Sequence, residues 1–260
     1  MEFFDSHTHY NDEKFNEDRD NVIKEIYNSG VTKAVCVGYN LDKSSEAIEI
    51  ASRYPTKIYA SIGISPNDLE NLTKENIGSN ICKMRELVEH ESVVAIGEIG
   101  LDYYWNHENK ELQKELFISQ IELADELNLP IIIHTREASV DTIDILKNKM
   151  KCNKKGVFHC CPLNQELVKE ALKLDFYISF AGPITYKNTK NAAEIINMVP
   201  LEKIVIETDC PYLSPEPKRG TRNDSRNIEY IAKKIAEIKN MEVEEVARIT
   251  YENTKRLFSI

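Results

Sequence analysis

The sequence predicts an α/β fold: a closed (β/α)8 barrel of the TIM type, one domain over residues 1–260, with a metal site at its C-terminal mouth. Three observations predict it. Eight short apolar runs alternate with longer amphipathic ones. The short runs are nearly continuous in apolar character, as in parallel strands covered on both faces, rather than alternating as in a sheet with one wet face. Good metal ligands end five of those runs, and active sites of this fold lie at the C-terminal strand ends.

The predicted strands are Glu2–Ser6, Lys33–Gly38, Lys57–Ile62, Val93–Gly97, Pro130–Ile133, Gly156–His159, Phe176–Ala181 and Ile204–Glu207. The predicted helices between them are Asn16–Ser29, Lys43–Arg53, Glu75–Glu89, Asn109–Leu127, Ser139–Lys149, Gln165–Leu174 and Thr189–Met198, followed by Asn227–Lys239 and Val243–Phe258. Asn109–Leu127 has the clearest helical pattern, with Leu112, Leu116, Ile121, Leu123 and Ala124 forming an apolar stripe among charged residues. An open doubly wound sheet is the competing arrangement, but no Gly-x-Gly-x-x-Gly follows the first strand. Pro211–Arg226 reads as a long loop after the eighth strand, a length often tied to function.

His7 and His9 stand two apart at the end of the first run, so a strand presents both imidazoles on one face. Such a pair alone is weak evidence for metal. His134 and His159 end the fifth and sixth runs, Glu98 follows the fourth and Asp209 follows the eighth. Packing does not account for six ligand-type residues in this pattern, and strands one, four, five, six and eight converge on one mouth only if the sheet closes. Imidazole suits zinc and other transition ions, and carboxylates add manganese and magnesium. His90 and His107 lie in charged surroundings and read as surface residues.

Composition narrows the class. The formal net charge is −10 and 42% of residues are hydrophobic, enough for a full core. A general polyanion-binding surface is excluded, because it needs clustered Lys and Arg. A nucleic-acid substrate is not, since bound cations make one cleft locally positive. No cationic leader and no run of about 18 apolar residues is present, which predicts neither a signal peptide nor a membrane span. Cys36, Cys82, Cys152, Cys160, Cys161 and Cys210 form no Cys-x-x-Cys framework and read as free thiols in a reducing cytoplasm.

The segments Phe4-Asp5-Ser6-His7-Thr8-His9, Gly97-Glu98-Ile99-Gly100-Leu101-Asp102-Tyr103, His134-Thr135-Arg136-Glu137-Ala138, His159-Cys160 and Glu207-Thr208-Asp209-Cys210-Pro211-Tyr212-Leu213 occur in this order along the whole chain. Together they resemble the TatD family of metal-dependent deoxyribonucleases, within the wider group of amidohydrolase-like metal barrels. The resemblance implies two divalent ions: one held by His7, His9, Glu98 and Asp209, the other by His134, His159 and a bridging Glu98. It implies a nucleophilic water between them, with Asp209 as its base. It makes Arg136 and Arg222 phosphate clamps, since guanidinium forks match phosphate oxygens. Tyr103, Tyr104 and Trp105 follow the fourth strand, where a base would stack on one of them; a lid packed on the rim is the plainer reading of the trio.

The chain departs from the family pattern at three places. Gly63-Ile64-Ser65-Pro66 puts Ser65 where the family has a phosphate-facing His; Cys161-Pro162-Leu163 replaces Phe-Ser-Gly; Arg222-Asn223-Asp224-Ser225 replaces Arg-Asn-Glu-Pro. No ligand is touched. Around the ligands, Glu207 reads equally as a support for Asp209 or as a barrel-layer hydrogen-bonding group. Asp5 is assigned to the His7 face with the same ambiguity. Asp102 reads equally as an orienter of a ligand or as a loop cap. Cys160 reads as packing, and Arg219 reads equally as part of the family's Arg/Asn-containing loop or as a solvated loop charge. The expected function is a two-metal deoxyribonuclease trimming DNA ends, with DNA or another phosphodiester as its partner and no obligate protein partner or membrane. The rival is a metal-dependent ester or amide hydrolase, such as an aminoacyl-tRNA deacylase, favoured by Ser65.

Overall fold

The computed structural model describes all residues from Met1 to Ile260. Eight parallel strands follow one another in a single sheet in chain order: β1 Phe3–Thr8, β2 Val31–Val37, β3 Ile58–Ile62, β4 Val93–Asp102, β5 Ile131–Arg136, β6 Gly156–Phe158, β7 Tyr177–Phe180 and β8 Ile204–Ile206. The sheet curls into a nearly closed barrel. The seam between β1 and β8 is joined at the top, where Asp209 N donates to His7 O at 3.0 Å and His9 N to Cys210 O at 2.7 Å. Around it run α1 Arg19–Asn28, α2 Leu41–Arg53, α3 Ile77–Val88, α4 Lys110–Leu127, α5 Ser139–Lys149, α6 Gln165–Lys173, α7 Ala192–Met198, α8 Ile228–Lys239 and α9 Val243–Phe258.

The predicted architecture is the observed one, with shifts at element ends. α1 starts three residues later than expected because Glu13–Phe15 forms a separate 3-10 turn, opened by Asp12 accepting from Lys14 N. β4 runs five residues past its apolar stretch. Ile99 and Leu101 alternate there with Glu98, Gly100 and Asp102, and the ladder continues, with Gly100, Leu101 and Asp102 registered against His134, Thr135 and Arg136. Gly100 permits this: a side chain there would collide with the His134 carbonyl, and its φ of +142° suits glycine alone.

The strands are apolar on both sides because each faces two cores. Phe4, Val35, Val37, Ala95, Ile132, Val157 and Val205 pack together with Leu257 and Phe258 of α9. They share the strand face of the ligand positions: Ile132 precedes His134 by two, Val157 precedes His159 by two, and Val205 precedes Glu207 by two. This set fills the barrel interior beneath the mouth. The other strand residues meet the helices in a larger shell that includes Ile62, Ile96, Ile133, Phe158 and Ile206. A rigid floor and wall therefore fix the strand ends that carry the polar groups.

Candidate metal centre

The six predicted ligands converge. His7 and His9 come from the end of β1, with Nε2 atoms 3.1 Å apart. Glu98 enters where the β4–β5 register slips between Ile96 and Ile99, an irregularity of the kind that re-aims a side chain. His134 lies on β5, His159 follows β6, and Asp209 sits past β8 at a φ of 56°. Glu98 divides its two oxygens. Oε2 lies 3.6 Å from His7 Nε2 and 3.8 Å from His9 Nε2, and Asp209 Oδ1 completes that cluster at 3.6 and 3.3 Å. Oε1 lies 2.9 Å from His134 Nδ1 and 3.6 Å from His159 Nε2, which are themselves 3.3 Å apart.

The outer nitrogens of three rings are tethered, and that decides which nitrogen turns inward. His9 Nδ1 donates to Val37 O at 3.1 Å, His134 Nε2 to Asp102 Oδ2 at 2.9 Å and His159 Nδ1 to Glu207 Oε1 at 3.2 Å. A ring that donates outward presents a bare lone pair inward, as metal-bound imidazoles do. The inward nitrogens of His134 and His159 then lie 3.3 Å apart with no proton to share, and His7 Nδ1 is buried without a partner. Imidazole lone pairs and carboxylate oxygens crowded in this way fit divalent cations, and three overlapping ligand groups form here: His7–His9–Glu98, His7–His159–Asp209 and Glu98–His134–His159. Burial alone raises Glu98; in place of a bound cation, protonated imidazoles, His159 first, outweigh it and hold the carboxyl well below its usual range, the same positive charge that such a cation would supply. Burial also raises Asp209, and His9 and His7 pull it below its ordinary value.

The structure places Asp102, Glu207 and Asp5, the three carboxylates left open around the ligands. Asp102 does two things at once: Oδ2 takes His134, and Oδ1 caps the following turn by accepting from Tyr104 N and Trp105 N at 2.9 Å each. Glu207 supports His159 rather than Asp209, and it also accepts from Cys160 N and Ser179 Oγ at 2.6 and 2.5 Å. Asp5 stays beside His7, accepting from His7 N at 3.4 Å, but supports the seam rather than the His7 ring. The β1–β2 register slips between Asp5 and Thr8, and the Asp5 carboxylate also accepts from Thr208 N, Thr208 Oγ1 and Ser225 Oγ at 2.9, 2.5 and 2.6 Å.

Above the ligands opens a cavity of about 350 Å³, lined by His9, Glu98, His134, His159 and Asp209 together with Tyr39, Ser65, Asn67, Asp68 and Tyr212. Ser65 is where the sequence put it. Tyr103 is not in this wall: its hydroxyl donates to Asp141 at 2.7 Å and Lys110 covers its ring at 4.4 Å. Arg222 is also outside it, held by Asp18 at 2.9 and 2.6 Å and by Lys14 O at 2.7 Å. Both were expected at the substrate; each instead satisfies its polar end with a nearer acceptor. Arg136 stands on the rim with its guanidinium 4.0 Å over the Tyr104 ring. Sequence reasoning missed Tyr39, Asn67 and Asp68, which follow β2 and β3 at the same strand-end level as the ligands. That position was the available signal.

A strand-end cluster of imidazoles and carboxylates on a βα barrel defines a metal-dependent hydrolase. Comparison with known proteins narrows the class. The chain matches the family model described as TatD related DNase over residues 4–259. It is 44% identical over 257 residues to the metal-dependent hydrolase YabD of Bacillus subtilis, covering 99% of each chain. It is 35% identical over 263 residues to YcfH of Escherichia coli, another metal-dependent hydrolase, covering 100% of this chain and 97% of that one. The crystal structure of the Escherichia coli TatD homologue YJJV superposes with a TM-score of 0.91 at 24% identity, covering 99% of this chain and 98% of that one. The chain belongs to the TatD family. No helix is long and apolar enough to cross a membrane.

Proposed function

We propose that the chain is a two-metal phosphodiesterase that trims DNA ends, working in the cytoplasm with its six cysteines as free thiols. One observation carries the reading: Glu98 aims one oxygen at the His7–His9–Asp209 cluster and the other at the His134–His159 cluster. A carboxylate shared this way suits a pair of dications, and paired dications suit in-line displacement at phosphorus. When bound, zinc, manganese or magnesium ions would supply Lewis-acid stabilisation of the phosphoryl oxygens and acidify the attacking water. The protein's own residues do the rest. Asp209 uses Oδ1 toward His7 and His9 and keeps its second oxygen to take the proton of that water. Ser65 and Asn67 offer neutral donors to a non-bridging oxygen from the cavity wall. Tyr39 and Tyr212 form its apolar side. Arg222 serves as a phosphate clamp only by releasing Asp18.

A second reading draws on the same cavity. Its wall holds no Lys or Arg but does hold Asp68, a carboxylate suited to the ammonium of an aminoacyl ester. A metal-supplemented screen against single-stranded DNA, duplex DNA and aminoacyl RNA separates the two. Cleavage of DNA ends, lost in Glu98→Ala, supports the nuclease. Deacylation with intact DNA would overturn it.

A further inference from the structure

The two tyrosines that wall the cavity, Tyr39 and Tyr212, differ at their polar ends. Both stand edge-on to the His9 ring, at 5.5 Å and 74° and at 6.3 Å and 66°. The Tyr212 hydroxyl is spent, because it donates to Asp12 Oδ2 at 2.5 Å. The Tyr39 hydroxyl makes no hydrogen bond within the protein, although its ring lines the cavity beside His9 and Glu98. The neighbouring carboxylates are engaged elsewhere. Asp12 takes Tyr212 and Lys14 N, and Asp68 takes Asn40 Nδ2 at 2.7 Å.

The backbone fixes this phenol against the rest of the mouth. Past the end of β2, three successive carbonyls each hold one part of it. Val37 O accepts from His9 Nδ1 at 3.1 Å, Gly38 O from Glu98 N at 2.9 Å and Tyr39 O from Ser65 N at 2.8 Å. Tyr39 is therefore locked to two of the ligand residues and to the serine that shares its wall. The Ser65 hydroxyl is also unspent as a donor; its oxygen only accepts, from Asn67 N at 3.4 Å. Two free hydroxyls thus face a cavity whose wall carries no Lys or Arg. Donors held in place before the substrate arrives cost no reorganisation at the moment of reaction.

We propose that the Tyr39 hydroxyl donates a hydrogen bond to a non-bridging oxygen of the scissile phosphodiester, beside the Ser65 hydroxyl, so that this wall of the cavity holds the phosphoryl group with neutral donors instead of a cation. This rests on the phosphodiesterase reading and adds to it a residue that touches the reacting group. A phenol keeps its proton at neutral pH, so it donates to an anion where a carboxylate would repel it. The His9 ring against its edge sets the height of the hydroxyl above the first ligand cluster.

Tyr39→Phe removes the hydroxyl and keeps the ring against His9, so a purely packing role would not register. Hydrolysis is followed on bis(para-nitrophenyl) phosphate, which has neither base nor sugar. Calorimetry on the metal-loaded protein gives the Kd of inorganic phosphate, and chelator titration gives the metal affinities. In Tyr39→Phe, kcat/KM should fall by about 10- to 150-fold, the range for a hydrogen bond to a charged group. Phosphate should bind more weakly, with the metal affinities unchanged. Unaltered kcat/KM and phosphate affinity, in a protein that does cleave the diester, refute the donor and leave the phosphodiesterase standing. Weaker phosphate binding in a protein that cleaves no phosphodiester supports the donor and removes the reaction. Weakened metal affinity in Tyr39→Phe overturns the proposal, because the hydroxyl would then act through His9 and not on the phosphate.

Discussion

Asp102→Asn keeps the shape of the side chain and removes its charge. Burial raises this carboxyl, but hydrogen bonds from His134, Trp105 N and Asn67 bring it down to about 2, so it is ionised at any working pH. Its four partners are all donors: Tyr104 N and Trp105 N at 2.9 Å on Oδ1, His134 Nε2 at 2.9 Å and Asn67 Nδ2 at 3.1 Å on Oδ2. An amide nitrogen placed on either side therefore meets a donor. On the His134 side the ring relieves the clash by moving its proton from Nε2 to Nδ1. Nδ1 is the atom that lies 2.9 Å from Glu98 Oε1, and once protonated it ligates nothing. Losing a charge-assisted hydrogen bond costs about 1.5–3 kcal/mol, roughly 10- to 150-fold in affinity. That agrees with the ~10–100-fold usual for removing a carboxylate behind a metal-bound histidine. The loss should fall on the ion held by His134 and His159, because Asp102 bonds none of His7, His9 and Asp209. Competitive chelator titration, resolving two affinities per chain, measures it. Equal weakening of both sites, or none, would refute the tautomer argument.

Further outcomes follow from the same geometry. Asp209→Asn should lower kcat by about 10²–10⁴-fold with the fold intact, since it removes the base and weakens one cluster; near-normal turnover would take Asp209 out of the mechanism. Ser65→His adds a cationic donor to the cavity wall, so it should raise phosphodiesterase activity and lower any acyl hydrolysis; no change in either would place Ser65 beyond the substrate's reach. Asp18→Ala frees Arg222, so KM for DNA should fall if the guanidinium clamps phosphate and stay unchanged if the pair only braces the loop. Chelation should lower Tm by about 5–10 °C when the ions had stood near 100 times their Kd; an unmoved Tm argues against any resident ion.

The barrel and the six side chains that meet at its mouth were legible because both write themselves locally. Ile131-Ile132-Ile133-His134 announces a covered strand and a polar end in four letters. The far half of β4 was not legible, since Gly97 and Gly100 interrupt it and its alternating Ile99 and Leu101 break with the continuous apolar run before them, so its strand geometry is fixed by pairing with β5. Partners of the ligands were equally hidden. Asp102 and His134 lie 32 residues apart, and Glu207 and His159 lie 48 apart, so only the pairing of β4 with β5 and of β6 and β8 with β7 joins them. Arg222 misled for a related reason: a loop arginine has several carboxylates within its reach, and sequence does not rank Asp18 against a phosphate. Ser65 lines the cavity because its strand end fixed it, as with the histidines.

The seam of the barrel has a consequence for how the protein is made. Asp5 and Thr208, which clasp the seam beneath the ligands, are 203 residues apart. A ribosome adding ~5–20 residues per second delivers the second partner roughly 10–40 s after the first. Throughout that interval His7 and His9 lack Asp209 and the first strand has an open edge. Glu98, His134 and His159 emerge earlier, lacking only the Glu207 carboxylate that tethers His159. Synthesis therefore imposes an order of assembly, with the His134–His159 cluster formed on an open sheet and the His7–His9 cluster only at closure. Stalled nascent chains ending before β8 should take up metal at the first of these alone.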